Sequence, residues 1–281
     1  MQMSINMDAL TTFLNQEVPG FSWIWQIFES LPVSHTTRVL IMSGVVPMVW
    51  FYLYGFLLFL VDFTASDSFI AKYKVQNTFR PTREQYMAAL KVSLFNWVIL
   101  GQPYMYVLAL YCLPTTIGPI PTVYMFLRDL VVYVLLEEIL FYSGHRLLHH
   151  PMFYAPIHKF HHTYTAPFGI AAVYAHPIEH MLSNVLPVSA GPVLMQSHPI
   201  VPMVWGVLAL FNTMNVHSGY DFTHLLIFPS PYFHDWHHEK FNENFGVGLG
   251  LDYMLGTSKN FSSAIAKGLV YVPRIKKNKA D

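Results

Sequence analysis

An all-α, polytopic membrane protein is the fold class this sequence predicts, with about four transmembrane helices and a His-rich helical domain on the cytosolic side. Three observations predict it. Charged residues make up 11% and hydrophobic residues 53% of the 281-residue chain. An ordinary soluble domain is about 25% charged, so there is too little charge here to cover a water-facing surface. Apolar runs close to the roughly 20 residues needed to span a bilayer recur along the first half. Finally, every one of the 15 histidines except His35 falls between His145 and His238.

The elements follow in order. Residues 1–38 form an N-terminal segment; Met1–Pro19 lacks the basic n-region of a signal peptide, and Phe21–Phe28 reads as a short aromatic helix at the membrane interface. Residues 39–142 hold the transmembrane helices. The first runs from Val39 to Leu60, kinked at Pro47. A polar loop, Asp62–Tyr86, carries Lys72, Lys74, Arg80 and Arg83 close to the spans, which places it in the cytosol and the N-terminus across the membrane. Met87–Leu113 and Thr122–Tyr142 then form a helical hairpin around the Pro- and Gly-rich turn Pro114–Pro121. Arg128, Asp129, Glu137 and Glu138 lie within the second arm, and charges inside a span face the bundle interior. Arg128 and Asp129 read as structural, since adjacent helical residues do not face each other. Residues 143–257 form the His-rich domain, interrupted by a membrane hairpin at 181–216 that divides at Gln196–Pro199. Residues 258–281 are a cytosolic tail.

Composition also excludes classes. With zero formal net charge and no basic stripe or binding motif, nucleic acid is not a partner. Cys112 stands alone, so no intramolecular disulfide forms, and it reads as an inert buried thiol.

The spacing of the histidines carries the chemistry. His145 and His149, in HRLLHH, are four apart and share one helix face. HKFHH (His158, His161, His162) and HDWHH (His234, His237, His238) repeat one H-x-x-H-H form. His176 and His217 bring the total to ten imidazoles. One zinc takes four ligands, or three and a water, so the set fits two metals with positions left open. Imidazole suits zinc, copper, iron and nickel alike. Iron is expected because attack on an unactivated lipid C–H bond needs O2 activation and zinc has no redox chemistry. His35, His198 and His224 read as ordinary structural residues.

At these clusters the sequence resembles the fatty acid hydroxylase/sterol desaturase superfamily, and within it the sterol C4-methyl oxidases and fatty-acid-hydroxylase-domain-containing relatives. The matching stretches are EEILFYSGHRLLHH, IHKFHHTYTAPFG, YAHPIEH, HSGYD, FHDWHH and LDYMLGT, from about Glu137 to Thr257. The resemblance implies a di-iron site on His145, His149, His158, His161, His162, His176, His217, His234, His237 and His238. It further implies O2 as co-substrate, electrons from NAD(P)H through a separate donor such as cytochrome b5, and a lipid substrate, with the C4-methyl group of a sterol expected. Zinc can replace iron in purified protein. A sterol C5-desaturase, a fatty acid or sphingolipid hydroxylase, and a non-catalytic or regulatory metal-binding membrane protein are the alternatives. The chain departs from the sterol oxidases in having Glu137-Glu138 where they have Glu-Asp, and in lacking the Trp that often opens LDYMLGT.

A metal-bound histidine donates its other N–H to a carboxylate or carbonyl. Glu138, two turns before His145, and Asp235 are the acids expected to hold ligands in place, with His150 and His180 beside them. Glu179, Asp221 and Asp252 also lie near ligands. GVGLG (246–250) lacks the context of a nucleotide fingerprint and reads as a turn. The terminal KNKAD resembles a lysine-based retrieval signal, which implies an endoplasmic reticulum membrane protein with a cytosolic C-terminus. The sequon Asn260-Phe261-Ser262 is then expected to stay unglycosylated.

Overall fold

The computed structural model describes residues 7–76, 78–114, 117–221 and 231–269. His224 and the KNKAD tail lie outside them. Every regular element among the described residues is a helix, and two isolated bridges, Glu17 with Thr122 and Lys74 with Tyr220, are the extended pairings. The expected interfacial helix is Phe21–Glu29.

Among the described residues, three helices are long and apolar enough to cross a membrane: His35–Thr64, Arg83–Tyr111 and Ile200–His217. The first starts at Ser34, whose hydroxyl accepts from Thr37 N–H. The second opens with a capping box between Thr82 and Gln85, the reciprocal pattern that satisfies two orphan donors. A fourth long helix, Val123–Leu148, is capped by Thr122. Its acids Asp129, Glu137 and Glu138 are buried, while Tyr124, Leu127, Val131, Leu135 and Ile139 are exposed. That spacing of three and four places one apolar stripe outward and the carboxylates inward. Arg128 does reach its neighbour: its guanidinium donates to Asp129 Oδ1 at 2.7 and 2.8 Å. Asp129 Oδ2 in turn accepts from Ser197, which accepts from Tyr133. The adjacent pair thus locks this helix to the turn of the 181–216 hairpin.

That hairpin is present as helix 177–195, ended by Gln196 in the left-handed region (φ 51°), followed by Ile200–His217. The polar loop after the first span is partly helical, Asp67–Tyr73. Two of its cations are not free surface charges. Lys74 is buried and paired with Asp62 at 2.7 Å, and Arg80 binds Asp62 O, Ala65 O and Asp67.

Proline shapes the bundle more than a simple kink at Pro47 would suggest. Each of three π-helical segments, Ile41–Val45, Phe95–Gly101 and His180–Val185, precedes a proline: Pro47, Pro103 and Pro187. Proline lacks an N–H and its ring clashes with the carbonyl four residues back. Those carbonyls belong to Ser43, Ile99 and Ser183, all inside the π segments. Widening the turn relieves the clash, and such bulges gather at functional sites.

Helix 177–195 packs tightly on the charged helix at Gly191, where an added Cβ would stand 2.4 Å from the Tyr133 ring and 2.8 Å from its Cα. The contact is to backbone as well as side chain, so Gly191→Ala is expected to destabilise by about 1–3 kcal/mol, as overpacking does. A lowered melting temperature in detergent would show it; an unchanged one would mean the two helices separate freely.

Candidate metal centre

Two long helices and two short ones deliver the histidines. His145 lies in the last turn of the charged helix and His149 is its C-cap. His217 ends the third span. His158, His161 and His162 lie on a 3-10 turn, His158–Thr163. His234, His237 and His238 share helix Pro231–Lys240. Nine of the ten expected residues gather in two groups. The ligand atoms of His145, His149, His158, His162 and His237 lie within 4.8 Å of one another, as do those of His161, His217, His234 and His238. Each H-x-x-H-H triplet is divided between the two: His161 and His237 each join the group opposite to their triplet's other pair. The groups adjoin, with the His161 and His162 rings 5.5 Å apart.

The hydrogen bonds fix which ring nitrogen faces inward. Nδ1 of His145 meets Phe245 O (2.7 Å), His237 meets Glu243 O (2.6 Å), His217 meets Thr213 O (2.7 Å), His238 meets Tyr164 O (3.1 Å) and His161 meets Tyr174 O (3.3 Å). His158 Nδ1 meets Glu179 Oε1 at 2.8 Å. Carbonyls and carboxylates only accept, so each Nδ1 carries the proton and each Nε2 is a bare lone pair. These nitrogens converge with the Nε2 atoms of His149, His162 and His234. His145 Nε2 and His158 Nε2 are 3.1 Å apart, His158 and His149 2.8 Å, His162 and His237 3.1 Å. In the other group His217 and His234 are 2.8 Å apart, and His234 and His238 3.1 Å.

Between His145 and His158 neither nitrogen has a proton to share, and such a contact is repulsive unless a cation sits among the lone pairs. Ligand nitrogens about 2.1 Å from one ion, at right angles to each other, are about 3 Å apart. The donor set therefore fits two metal ions, one on each group.

Burial pushes the His161 imidazole down to about 4. Burial, reinforced by neighbouring imidazoles, pushes His158, His162, His234, His237 and His238 below the ordinary value as well. All six are neutral near pH 7, as ligation requires. The unfolded chain takes up these protons near pH 6.5, the folded cluster only well below it. In that window the unfolded state holds more protons, so stability falls as pH drops and is flat above about 6.5. Metal release on acidification, followed by a chelating dye, is expected only well below pH 6.5, where the folded histidines begin to take up protons. Release on raising the pH from 7 to 8.5 would contradict the assignment of neutral ligands.

The remaining expected residues lie outside the two groups or take other partners. His176 stands outside both groups; its Nδ1 accepts from Ile178 N–H (3.2 Å) and caps the helix that begins at Pro177. His150 does the same for Met152. His180 is fully buried with its ring edge-on to Trp97, and neither ring nitrogen has a partner among the described residues. Asp235 takes the Gln76 amide rather than an imidazole.

Glu138 is close to the expected role but acts one step removed. It accepts from Val247 N–H and Leu251 N–H, both at 3.0 Å. Asp252 accepts from Phe245 N–H and Gly246 N–H. Together they pin the GVGLG turn, so that the preceding carbonyls of Glu243 and Phe245 meet His237 and His145. Gly246 is required there, since a Cβ would stand 2.8 Å from Asp252 Oδ2 and 3.0 Å from Glu138 Oε1. Asn96 does similar work on the other side. Its amide donates to Val173 O and Ala175 O and brackets Tyr174, whose carbonyl meets His161. The sequence offered no signal for these backbone acceptors, and Glu179 was only one acid among several near ligands.

An apolar cleft of about 920 Å³ lies against the histidines, lined in part by His145, His161, His217, His234, Phe141 and Val216. A second chamber of about 570 Å³ adjoins it and shares Trp97, Asn184, Val188 and Leu210.

Comparison with known proteins gives the site its kinship. The family model described as fatty acid hydroxylase matches residues 130–257. Fatty acid hydroxylase domain-containing protein 2 of Homo sapiens is 41% identical over 228 residues, covering 79% of this chain and 67% of its own. The chain belongs to the fatty acid hydroxylase family. Among other relatives of this fatty acid hydroxylase family member, methylsterol monooxygenase 2-2 of Arabidopsis thaliana is 30% identical over 213 residues, covering 71% of this chain and 79% of its own. The C-4 methylsterol oxidase of Schizosaccharomyces pombe is 30% identical over 219 residues, covering 72% and 71%. No solved structure gives a significant match. The matched region contains both histidine groups and the Glu138 and Asp252 anchors.

Proposed function

We propose that this family member is a membrane-embedded non-haem di-iron oxygenase that oxidises a lipid C–H bond with O2, and that the bond is in the C4-methyl group of a sterol. The observation that carries the reading is the convergence of unprotonated Nε2 atoms in two adjacent groups beside an apolar cleft. A pair of irons held there would supply the O2 activation that an unactivated C–H bond demands. The ligands proposed are His145, His149, His158, His162 and His237 for one ion, and His161, His217, His234 and His238 for the other. Zinc, which imidazole also suits, would fill the same positions without supporting the reaction.

The chain's own residues prepare the site. Glu179 holds His158, and the turn anchored by Glu138 and Asp252 holds His145 and His237, so the lone pairs keep their direction through turnover. The apolar cleft excludes water and aligns the lipid against the groups. No haem or flavin motif is found in the sequence, so electrons come from NAD(P)H through a separate donor such as cytochrome b5. We place the enzyme in the endoplasmic reticulum membrane as a multi-pass protein, with the site and C-terminus cytosolic and 143–257 as the catalytic domain. The methylsterol oxidases among its relatives support the sterol.

A second reading keeps the irons and moves the substrate, to sterol C5-desaturation or to hydroxylation of a fatty acid or sphingolipid. It is favoured by the human relative, whose name specifies a domain and no substrate. Sterol profiling of cells lacking the protein separates the two. Accumulation of 4-methyl sterols, cleared by the wild type and not by His161→Ala, is expected. Unchanged sterols with another lipid missing a hydroxyl or a double bond would move the substrate to that lipid.

A further inference from the structure

Four residues that line the cleft each carry a buried polar atom with no hydrogen-bond partner among the described residues: Trp97 Nε1, Glu179 Oε2, Ser183 Oγ and Asn212 Oδ1. A buried polar group without a partner costs about 1–3 kcal/mol, and four on residues in the wall of one cleft is a concentration that calls for a ligand. Two of them come from π-helical segments, Trp97 from Phe95–Gly101 and Ser183 from His180–Val185. The third π segment, Ile41–Val45, contributes Ser43 and Gly44 to the second chamber. All three bulges thus border two adjoining chambers that share Trp97, Asn184, Val188 and Leu210.

The chemistry of the lining selects the ligand. The atoms offer an indole donor, a hydroxyl that donates and accepts, and two acceptor oxygens, which matches a hydroxyl's single donor and two lone pairs. The described lining contains no Lys or Arg, and it contains two carboxyl groups, Glu137 and Glu179. An anionic headgroup, whether carboxylate or phosphate, would find no Lys or Arg beside these four atoms and would meet the acceptor oxygens of Glu179 and Asn212, which leaves it poorly paired there. The second chamber, lined by Pro47, Met105, Leu108, Leu113 and Trp205 among others, suits a hydrocarbon body.

We infer that Trp97, Glu179, Ser183 and Asn212 form a subsite for the hydroxyl of a neutral lipid, which selects hydroxyl-bearing substrates against free fatty acids and lays their hydrocarbon body in the second chamber. The inference rests on the lipid-oxygenase reading and narrows its substrate class. It also places the oxidised carbon near the hydroxyl, because Glu179 Oε2 belongs to the carboxylate whose Oε1 holds His158.

The test is direct binding of labelled lipids to detergent-solubilised, metal-loaded protein. One probe pair is a 4-methyl sterol and the same sterol without its hydroxyl. A second set is stearyl alcohol, octadecane and stearate. The hydroxyl probe of at least one set is expected to bind at least about tenfold more tightly than its hydrocarbon counterpart, and stearyl alcohol more tightly than stearate if the linear set is accepted. In Trp97→Phe and Ser183→Ala combined, the hydroxyl advantage is expected to shrink to within about twofold, with hydrocarbon binding and metal content unchanged. If only the alcohol set discriminates, the subsite stands and the sterol reading falls. Absence of discrimination in both sets, tighter binding of stearate than of stearyl alcohol, or a hydroxyl advantage that survives the double variant would overturn the proposal.

Discussion

His237→Ala is expected to reduce activity below about 1% of wild type and to remove one of two bound metal ions. The magnitude follows from position. Disturbing a residue that only orients a ligand costs 10–100-fold, and His237 is itself among the ligand atoms. Its Nε2 lies 3.1 Å from those of both His149 and His162, and its Nδ1–H is fixed on Glu243 O. Alanine leaves four imidazoles in the first group and frees a loop carbonyl. His161→Ala should do the same to the second group. The contrast is His176→Ala and His150→Ala, which remove helix caps and are expected to keep both ions and most activity. Metal analysis of purified variants reads this directly. A His237→Ala protein with two ions and full turnover would remove His237 from the ligand set.

Glu138→Ala is expected to weaken metal binding by about 10–100-fold and to lower stability by roughly 1–3 kcal/mol for each backbone N–H left unpaired. Val247 and Leu251 lose their acceptor, the 246–250 turn loosens, and the Phe245 carbonyl no longer holds His145 in one tautomer. Glu138→Gln keeps an acceptor oxygen and should recover part of the loss. Asp235→Asn, which alters only a contact to Gln76, should leave metal affinity unchanged. Chelator competition measures all three. Equal affinities in Glu138→Ala and wild type would mean the turn holds its shape without the carboxylate.

The helical spans and the histidine positions were legible because each rests on local pattern. An uncharged run of some twenty residues has few alternatives to a membrane helix, and H-x-x-H-H repeated twice has few alternatives to a metal site. The division of each triplet was not legible. It depends on how helix Pro231–Lys240 docks against the 158–163 turn, which is a tertiary fact. His176 looked like a ligand, and His150 like a neighbour of ligands, because a histidine before proline, in YAHPIEH and HHPMFY, sits among others. In the fold that same proline starts a helix, and the histidine before it becomes the cap. Pro47 was visible as a helix disturbance. That Pro103 and Pro187 act alike, and that all three widen their helices around two adjoining chambers, required the backbone. The acceptors for Nδ1 are mostly main-chain carbonyls, which carry no residue signature at all.

In the proposed reaction the two histidine groups hold the ions that activate O2 for insertion into a lipid. The most direct measurement is turnover of iron-loaded protein, reconstituted with an electron donor and a 4-methyl sterol, under oxygen-18 gas. Incorporation of one labelled oxygen atom into the first oxidised sterol product, lost in His237→Ala, is the predicted result. Full metal loading with no oxygen consumption, on this sterol and on every other lipid supplied, would contradict it and leave a membrane protein that binds metal without catalysing oxidation.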